Sequence, residues 1–286
     1  MPALPLVDLV LSSLGRAAEP RRLLASLATQ TLADFRVILV DQNSDDRLQE
    51  VVAVHRDAFP IVHLRTTEAG LSRGRNAGIS RLAAELVAFP DDDCWYPPDL
   101  LERIVACFAA RSEWDGLAGT TTDADGSLSG LRWPRRAASI TRQNVARSSI
   151  APAVFLRRRV IEAVGSFDVE LGAGAGTPWG SGEETDYLLR ALEMGFRIVY
   201  EPTLSVYHPG PAPGLRDGSA MRKAYSYGVG HARVLRSHGF PSTYVAWRAL
   251  QLAAGAPVFT LVGQPGLSRY YLAMARGRAG GLLART

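Results

Sequence analysis

Strand-like and helix-like patterns alternate four times within residues 6–110, and this constrains the fold more than any other feature. Apolar runs suited to buried strands recur at 6–12 ("LVDLVLS"), 35–41 ("FRVILVD"), 60–66 ("PIVHLRT") and 85–93 ("ELVAFPDDD"). Between and after them lie "AEPRRLLASLATQT", "DDRLQEVVAVHRD", "GLSRGRNAGISRLA" and "PPDLLERIVACFAA", with helical spacing or a loop entering a helix. Ser44 or Asp45 is the expected N-cap of the second helix, and proline stands near the first turn of the fourth. Such alternation predicts an α/β fold, a mostly parallel sheet flanked by helices. Right-handed crossovers gather the strand C-termini on one edge, where open α/β sheets bind ligands. Asp41 and Asp91–Asp93 both end strands in this reading, so they can share a site.

After residue 115 the pattern changes. "WDGLAGTTTDADGSLSGLRWP" reads as short strands and turns, and "SSIAPAVFLRRRVIEAVGSFD" as a strand and a short helix ending at Gly165. A mobile glycine loop, "ELGAGAGTPWGSG", leads into an amphipathic helix, "EETDYLLRALEMGF", ending at Gly195. "RIVYEP" and "LSVYHPG" read as two short strands. From about 219 the chain is helical and basic. The expected organisation is a catalytic domain over 1–217, split into halves at about 115, and a basic helical extension over 218–286.

Charge supports that division. No Asp or Glu follows Asp217, whereas Arg222, Lys223, Arg233, Arg236, Arg248, Arg269, Arg276, Arg278 and Arg285 do. Arg, Trp and Tyr beside apolar faces suit an interfacial helix on an anionic membrane. The apolar stretch at 242–263 contains Pro257 and falls short of the ~20 uninterrupted residues of a spanning helix. No recognition motif supports a nucleic-acid partner. Two cysteines, Cys94 and Cys107, match neither a zinc pattern nor a disulfide scaffold, and the start reads as a strand rather than a leader. The expected location is the cytoplasm, peripheral on the inner face of the membrane.

The run "FPDDDC" carries the chemistry. Adjacent carboxylates at a strand end suit a hard divalent cation, Mn²⁺ or Mg²⁺, which cancels their repulsion. In a strand, Asp91 and Asp93 face one side while Asp92 turns away. The alternative is a solvated acidic turn before the helix at Pro97.

Taken in order, "SSLGR", "LVDQNSDD", "GLSRGRNAGI", "FPDDDC", "GSGEETDYLLRALEMGFRIVYEP" and "YHP" resemble the family-2 glycosyltransferases of the GT-A fold, over about residues 4–210. The resemblance implies an inverting, metal-dependent transfer from a nucleotide-diphosphate sugar to a hydroxyl of a saccharide or lipid-linked acceptor. The expected setting is bacterial cell-envelope or polysaccharide biosynthesis. It implies that Asp41 contacts base or ribose and that Arg75 contacts the diphosphate or base. Arg73 is a weaker candidate for such a contact. Asp93 is the expected metal ligand, Asp91 contacts ribose or shares the ion, and His208 is a further ligand. Asp92 faces the ribose or only a neighbouring turn. Glu184 is the expected general base with Glu183 as the alternative, and Trp179 and Asp186 are acceptor candidates. Ser12, Ser13 and Arg16 are pocket candidates; Leu14 stands where many members place an aromatic that stacks on the base. Trp95 is expected in the core. Two other readings are a nucleotidyltransferase, which lacks its glycine loop and lysine here, and a non-catalytic sugar-nucleotide-binding or membrane-docked subunit.

Overall fold

The computed structural model describes residues 4–123, 125–127, 133–209 and 218–283. The chain forms two compact units, one of Met1–Phe167 with Tyr187–Gly210 and one of Asp168–Asp186 with Pro211–Thr286.

The first unit is the expected α/β sheet. In chain order it carries β1 (Val7–Ser13), α1 (Ala18–Leu27), β2 (Phe35–Asp41), α2 (Gln49–His55), β3 (Ile61–Arg65), α3 (Leu71–Ile79) and β4 (Leu86–Ala88). There follow α4 (Leu100–Ala110), β5 (Gly116–Thr122), β6 (Ala138–Ser139), α5 (Val145–Ser148), β7 (Val154–Arg157) and α6 (Arg158–Val164). After α7 (Glu183–Glu193), whose second half belongs here, comes β8 (Ile198–Tyr207). The eight strands lie in the order β3-β2-β1-β4-β7-β5-β8-β6. The β1–β2, β2–β3, β1–β4 and β5–β8 pairs are parallel; β7 and β6 pair antiparallel.

Every residue of β1 is buried, as a strand covered on both faces requires. Helix α3 lies close on β1 because Gly74 and Gly78 have no side chains; a Cβ on either would strike Ser12 or Val10. The charged exception in β1, Asp8, accepts from Arg36 Nε and Nη2 at 2.8 and 3.0 Å. It also accepts from the Ala83 and Ala84 amides at 2.7 and 2.9 Å, so a fully buried carboxylate is answered on every side.

Three local expectations differ. Strand β4 stops at Ala88, before the aspartates, which occupy a turn closed by the Cys94 amide donating to the Asp91 carbonyl at 3.2 Å. Pro90 cannot donate to a ladder, so pairing ends there. Helix α2 begins after Leu48 with no side-chain cap, because Asp45 is held by Arg47 at 2.6 Å. The two strands foreseen at 197–210 are one, β8; it keeps pairing with β5 through a register shift between Ala118 and Thr120.

The second unit contains the glycine loop, the start of α7, and the helices α8 (Gly218–Ser237), α9 (Ser242–Leu261) and α10 (Pro265–Leu283). Residues 168–186 group with these helices, where the sequence suggests a boundary near 217; Asp217 itself lies outside the described residues. The reason is close backbone packing. Gly230 leaves room for the Ser181 backbone, and Ser181 Oγ donates to the Tyr227 carbonyl at 2.9 Å. Helices α8 and α10 also meet backbone to backbone: Gly277 abuts the Tyr225 carbonyl, and Gly228 abuts the Met274 carbonyl and the Arg278 amide. Among the described residues, no helix is long and apolar enough to cross a membrane.

Candidate active site

The aspartate turn follows β4, and a single bridge outside the main ladders fixes its far side. Trp95 and Tyr207 exchange backbone hydrogen bonds, both 2.9 Å, and their rings stack at 5.3 Å. Arg22 lies over the Trp95 ring at 3.9 Å, so this half-buried tryptophan is clamped on two faces. The residue after Tyr207 is His208, whose amide donates to the Thr122 carbonyl at 2.8 Å. The bridge therefore carries His208 to the aspartates.

His208 Nε2 lies 3.4 Å from Asp93 Oδ1 and 4.0 Å from Asp91 Oδ2. One ligand atom from each of the three residues falls within 4.8 Å of the others. His208 Nδ1 is 2.8 Å from the Pro209 carbonyl, and a carbonyl can only accept, so Nδ1 carries the hydrogen. In the neutral ring this leaves the Nε2 lone pair facing the carboxylates, the tautomer a metal ligand needs. Ligands about 2.1 Å from an octahedral ion stand about 3 Å apart, so the Asp93–His208 spacing fits a divalent cation. Two carboxylates with an imidazole suit Mn²⁺ better than Mg²⁺, which favours oxygen alone.

The arginines around the turn separate the three aspartates. Arg75, fully buried on α3, donates from Nη2 to Asp91 Oδ1 at 3.0 Å. Arg16 Nη1 donates to Asp92 Oδ1 at 2.6 Å and to Asp93 Oδ2 at 2.9 Å. Ser13 Oγ donates to Asp92 Oδ2 at 2.7 Å. Asp92 thus turns toward the end of β1 while Asp91 and Asp93 face His208. Strand alternation is not what divides them, since the three residues lie in a turn. Burial pushes the Asp92 carboxyl up from its ordinary range, against the downward pull of Ser13 and Arg16. Burial and the neighbouring carboxylates push the Cys94 thiol well up, making it a packing residue.

Asp41 is fully buried at the end of β2. Its Oδ1 accepts from the Asn43 amide and Nδ2 at 2.9 and 2.8 Å, and its Oδ2 accepts from His63 Nε2 at 3.0 Å. Ser12 Oγ donates to Gln42 Oε1 at 3.0 Å, within the same loop cluster. Leu14 stands exposed beside it. Arg73, in the first turn of α3, donates to the Ala69 carbonyl just before the helix at 3.2 Å. Asn76 exchanges two hydrogen bonds with the Phe167 backbone, at 2.9 and 2.8 Å.

In the second unit the three acids that open α7 have different surroundings. Glu183 is buried against Gly172, whose φ of +98° and missing Cβ make room for the carboxylate. Asp186 is buried and accepts from His238 Nε2 at 2.9 Å. Glu184 alone of the three is part-exposed. The glycine loop is closed by the Gly172 amide donating to the Trp179 carbonyl at 3.0 Å, and Arg233 lies over the Trp179 ring at 4.5 Å. His63, His238 and Pro209 escaped the sequence reading, because each acts through a residue 22 or 52 positions away or through a carbonyl.

Residues 9–162 match the family model described as glycosyl transferase family 2. The chain belongs to that family. Its curated relatives include the glycosyltransferase AglE of Haloferax volcanii, 23% identical over 239 residues, or 81% of this chain and 74% of that protein. A validoxylamine A glucosyltransferase of Streptomyces hygroscopicus subsp. jinggangensis is 32% identical over 37% of this chain and 26% of its own length. Among solved structures, the mannosyltransferase PcManGT from Pyrobaculum calidifontis, in complex with GDP-Man and Mn²⁺, superposes with a TM-score of 0.63. That pair is 16% identical and covers 96% of this chain and 87% of PcManGT. S. aureus TarS 1–349 in complex with UDP-GlcNAc gives 0.60, 16% identity, 96% and 92%. These neighbours share the GT-A fold with this chain.

Proposed function

We propose that this family-2 glycosyltransferase moves a sugar from a nucleoside-diphosphate donor to an acceptor hydroxyl with inversion at the anomeric carbon. The grouping of Asp91, Asp93 and an Nδ1-anchored His208 carries the reading. Those three residues would hold Mn²⁺ or Mg²⁺, which supplies charge stabilisation to the departing diphosphate. Arg75 orients Asp91, and Arg16 orients Asp92 and Asp93. Asp41 and Ser12 shape the loops where base and ribose would bind.

Glu184 takes the acceptor proton as the acceptor oxygen attacks C1. The bond from C1 to the diphosphate oxygen breaks, and its electron pair leaves with the nucleotide. Partial exposure favours Glu184 over Glu183, which is covered by the loop. Trp179 and Asp186 flank this acid as acceptor-side residues.

Support for the donor class comes from solved neighbours that hold UDP-GlcNAc or GDP-Man with Mn²⁺. A panel of UDP- and GDP-sugars, screened by thermal shift with and without Mn²⁺, tests the reading. One donor raising the melting temperature only with metal supports it; no metal-dependent shift with any donor ends it.

A second observation supports a membrane-surface setting, the inner face of a bacterial membrane near a lipid-linked acceptor. On α9 the exposed residues Trp247, Leu250, Val258 and Leu261, with Val262 just beyond, fall within an arc of about 120°. The chain around this apolar stripe is basic without an acid, the complement of an anionic bilayer. Vesicle flotation tests the stripe.

A further inference from the structure

The helical unit holds a feature that sugar transfer does not use. Arg278, on α10, is 5% exposed, yet among the described residues no carboxylate acts on it. Its burial follows from the helix packing: Gly228 on α8 presses against the Arg278 amide, and Gly277 presses against the Tyr225 carbonyl. The side chain is drawn in with its backbone.

What surrounds Arg278 there includes a second guanidinium and an imidazole. Its Nη1 reaches only the Arg248 carbonyl, at a long 3.4 Å, and its Nε is shielded from solvent with no hydrogen-bond partner. On α8, His231 Nδ1 is likewise shielded and without a partner. The Arg248 side chain, on α9, is near enough to act electrostatically on both, and the Tyr244 hydroxyl acts on Arg278. Burial pushes the Arg278 guanidinium down to about 9, with Arg248 adding repulsion. Burial, then Arg278 and Arg248, push the His231 imidazole well down.

A buried guanidinium with no counter-charge is unfavourable, and an anion bound beside it would offset that cost. The groups gathered there are the Arg278 fork, the shielded His231 imidazole and the Arg248 guanidinium, whose Nη1 also donates to Gln251 Oε1 at 3.0 Å, a set from three helices suited to a tetrahedral oxyanion that takes forked N–H pairs. We infer that Arg278, Arg248 and His231 form an anion site within the α8–α9–α10 bundle that takes a phosphate group. The phosphate is either inorganic or the headgroup of an acidic lipid. The site stands independently of the glycosyl-transfer reading.

Thermal unfolding of the full chain in inorganic phosphate, against chloride at matched ionic strength, tests it. At ten times the dissociation constant, phosphate raises the melting temperature by roughly 3 °C or more. Arg278→Met abolishes that increment, while Arg276→Met, an exposed change on the same helix, keeps it. In chloride, Arg278→Met melts no lower than the parent chain, because an unanswered buried charge has been removed. Should Arg278→Met not fold, His231→Phe serves, with a reduced increment expected. Short-chain phosphatidate below its micelle concentration distinguishes the source: the same increment at far lower concentration assigns a lipid, and equal potency assigns free phosphate. No phosphate increment in the parent chain, or an undiminished one in the folded variant, overturns the inference.

Discussion

Trp95 and Tyr207 are joined by reciprocal backbone hydrogen bonds of 2.9 Å, and that pair holds Asp93 and His208 together. Replacing Trp95 with Ala removes the stack on Tyr207 and the platform for Arg22 without touching a ligand atom. Groups that support metal ligands typically contribute 10–100-fold to affinity, so Mn²⁺ binding is expected to weaken by about tenfold. Titration followed by the paramagnetic signal of free Mn²⁺ measures it. Unchanged affinity would mean that the bridge does not position the ligands.

Removing the imidazole should alter metal preference as well as affinity. His208→Ala leaves an all-oxygen set of Asp91 and Asp93, which suits Mg²⁺ better than Mn²⁺. The ratio of Mn²⁺ to Mg²⁺ affinity is expected to fall, read by calorimetry with each ion alone. A ratio that stays constant would exclude His208 from the coordination shell.

The two glutamates that open α7 are expected to separate kinetically. Glu184→Gln should lower kcat by roughly 10²–10⁴-fold while donor affinity stays intact. Glu183→Gln should act mainly on stability, since its carboxylate is buried under Gly172. Single-turnover transfer beside donor titration tests both. The reverse pattern would move the base to Glu183, and full activity in a double variant would remove both from proton transfer.

Helix contact in the second unit can be tested at one atom. Gly277→Ala places a methyl group against the Tyr225 carbonyl, where only backbone can yield. Overpacking of this kind costs about 1–3 kcal/mol, measurable as a lower urea midpoint. An unchanged midpoint would show that the helices stand further apart.

The apolar stripe of α9 predicts a charge-sensitive attachment. Leu250→Asp with Leu261→Asp, both at exposed positions, should abolish flotation on phosphatidylglycerol-rich vesicles with little loss of stability. Flotation of the parent chain should fall as salt rises. Equal flotation of parent and variant would remove the stripe from membrane binding.

The first strands of the sheet were legible because periodicity is local: β1 and β2 are largely apolar runs, and the family motifs mark their ends. The Asp91–Asp93–His208 group was legible only through those motifs, since more than a hundred residues separate its parts. Asp92 was not, because its partners Ser13 and Arg16 lie 79 and 76 residues earlier. Nor was the pairing of Asp186 with His238, 52 residues on, where a histidine near a helix end carries no distinguishing pattern. The continuity of β8 was hidden by Pro202, whose missing donor falls within the shift in pairing with β5. The allegiance of residues 168–186 to the helices depends on absent side chains at Gly230 and Gly182, which composition alone does not locate.

The arginines of the aspartate turn set its charge balance. Arg75 answers Asp91, and Arg16 spans Asp92 and Asp93, so two cations stand against three anions. Arg22 adds a third cation, its Nη2 donating to the Asp93 carbonyl at 2.6 Å, so the turn is close to neutral until an ion loads. A divalent ion would give it a net positive charge, and a nucleoside diphosphate should therefore bind in sequence, metal before donor.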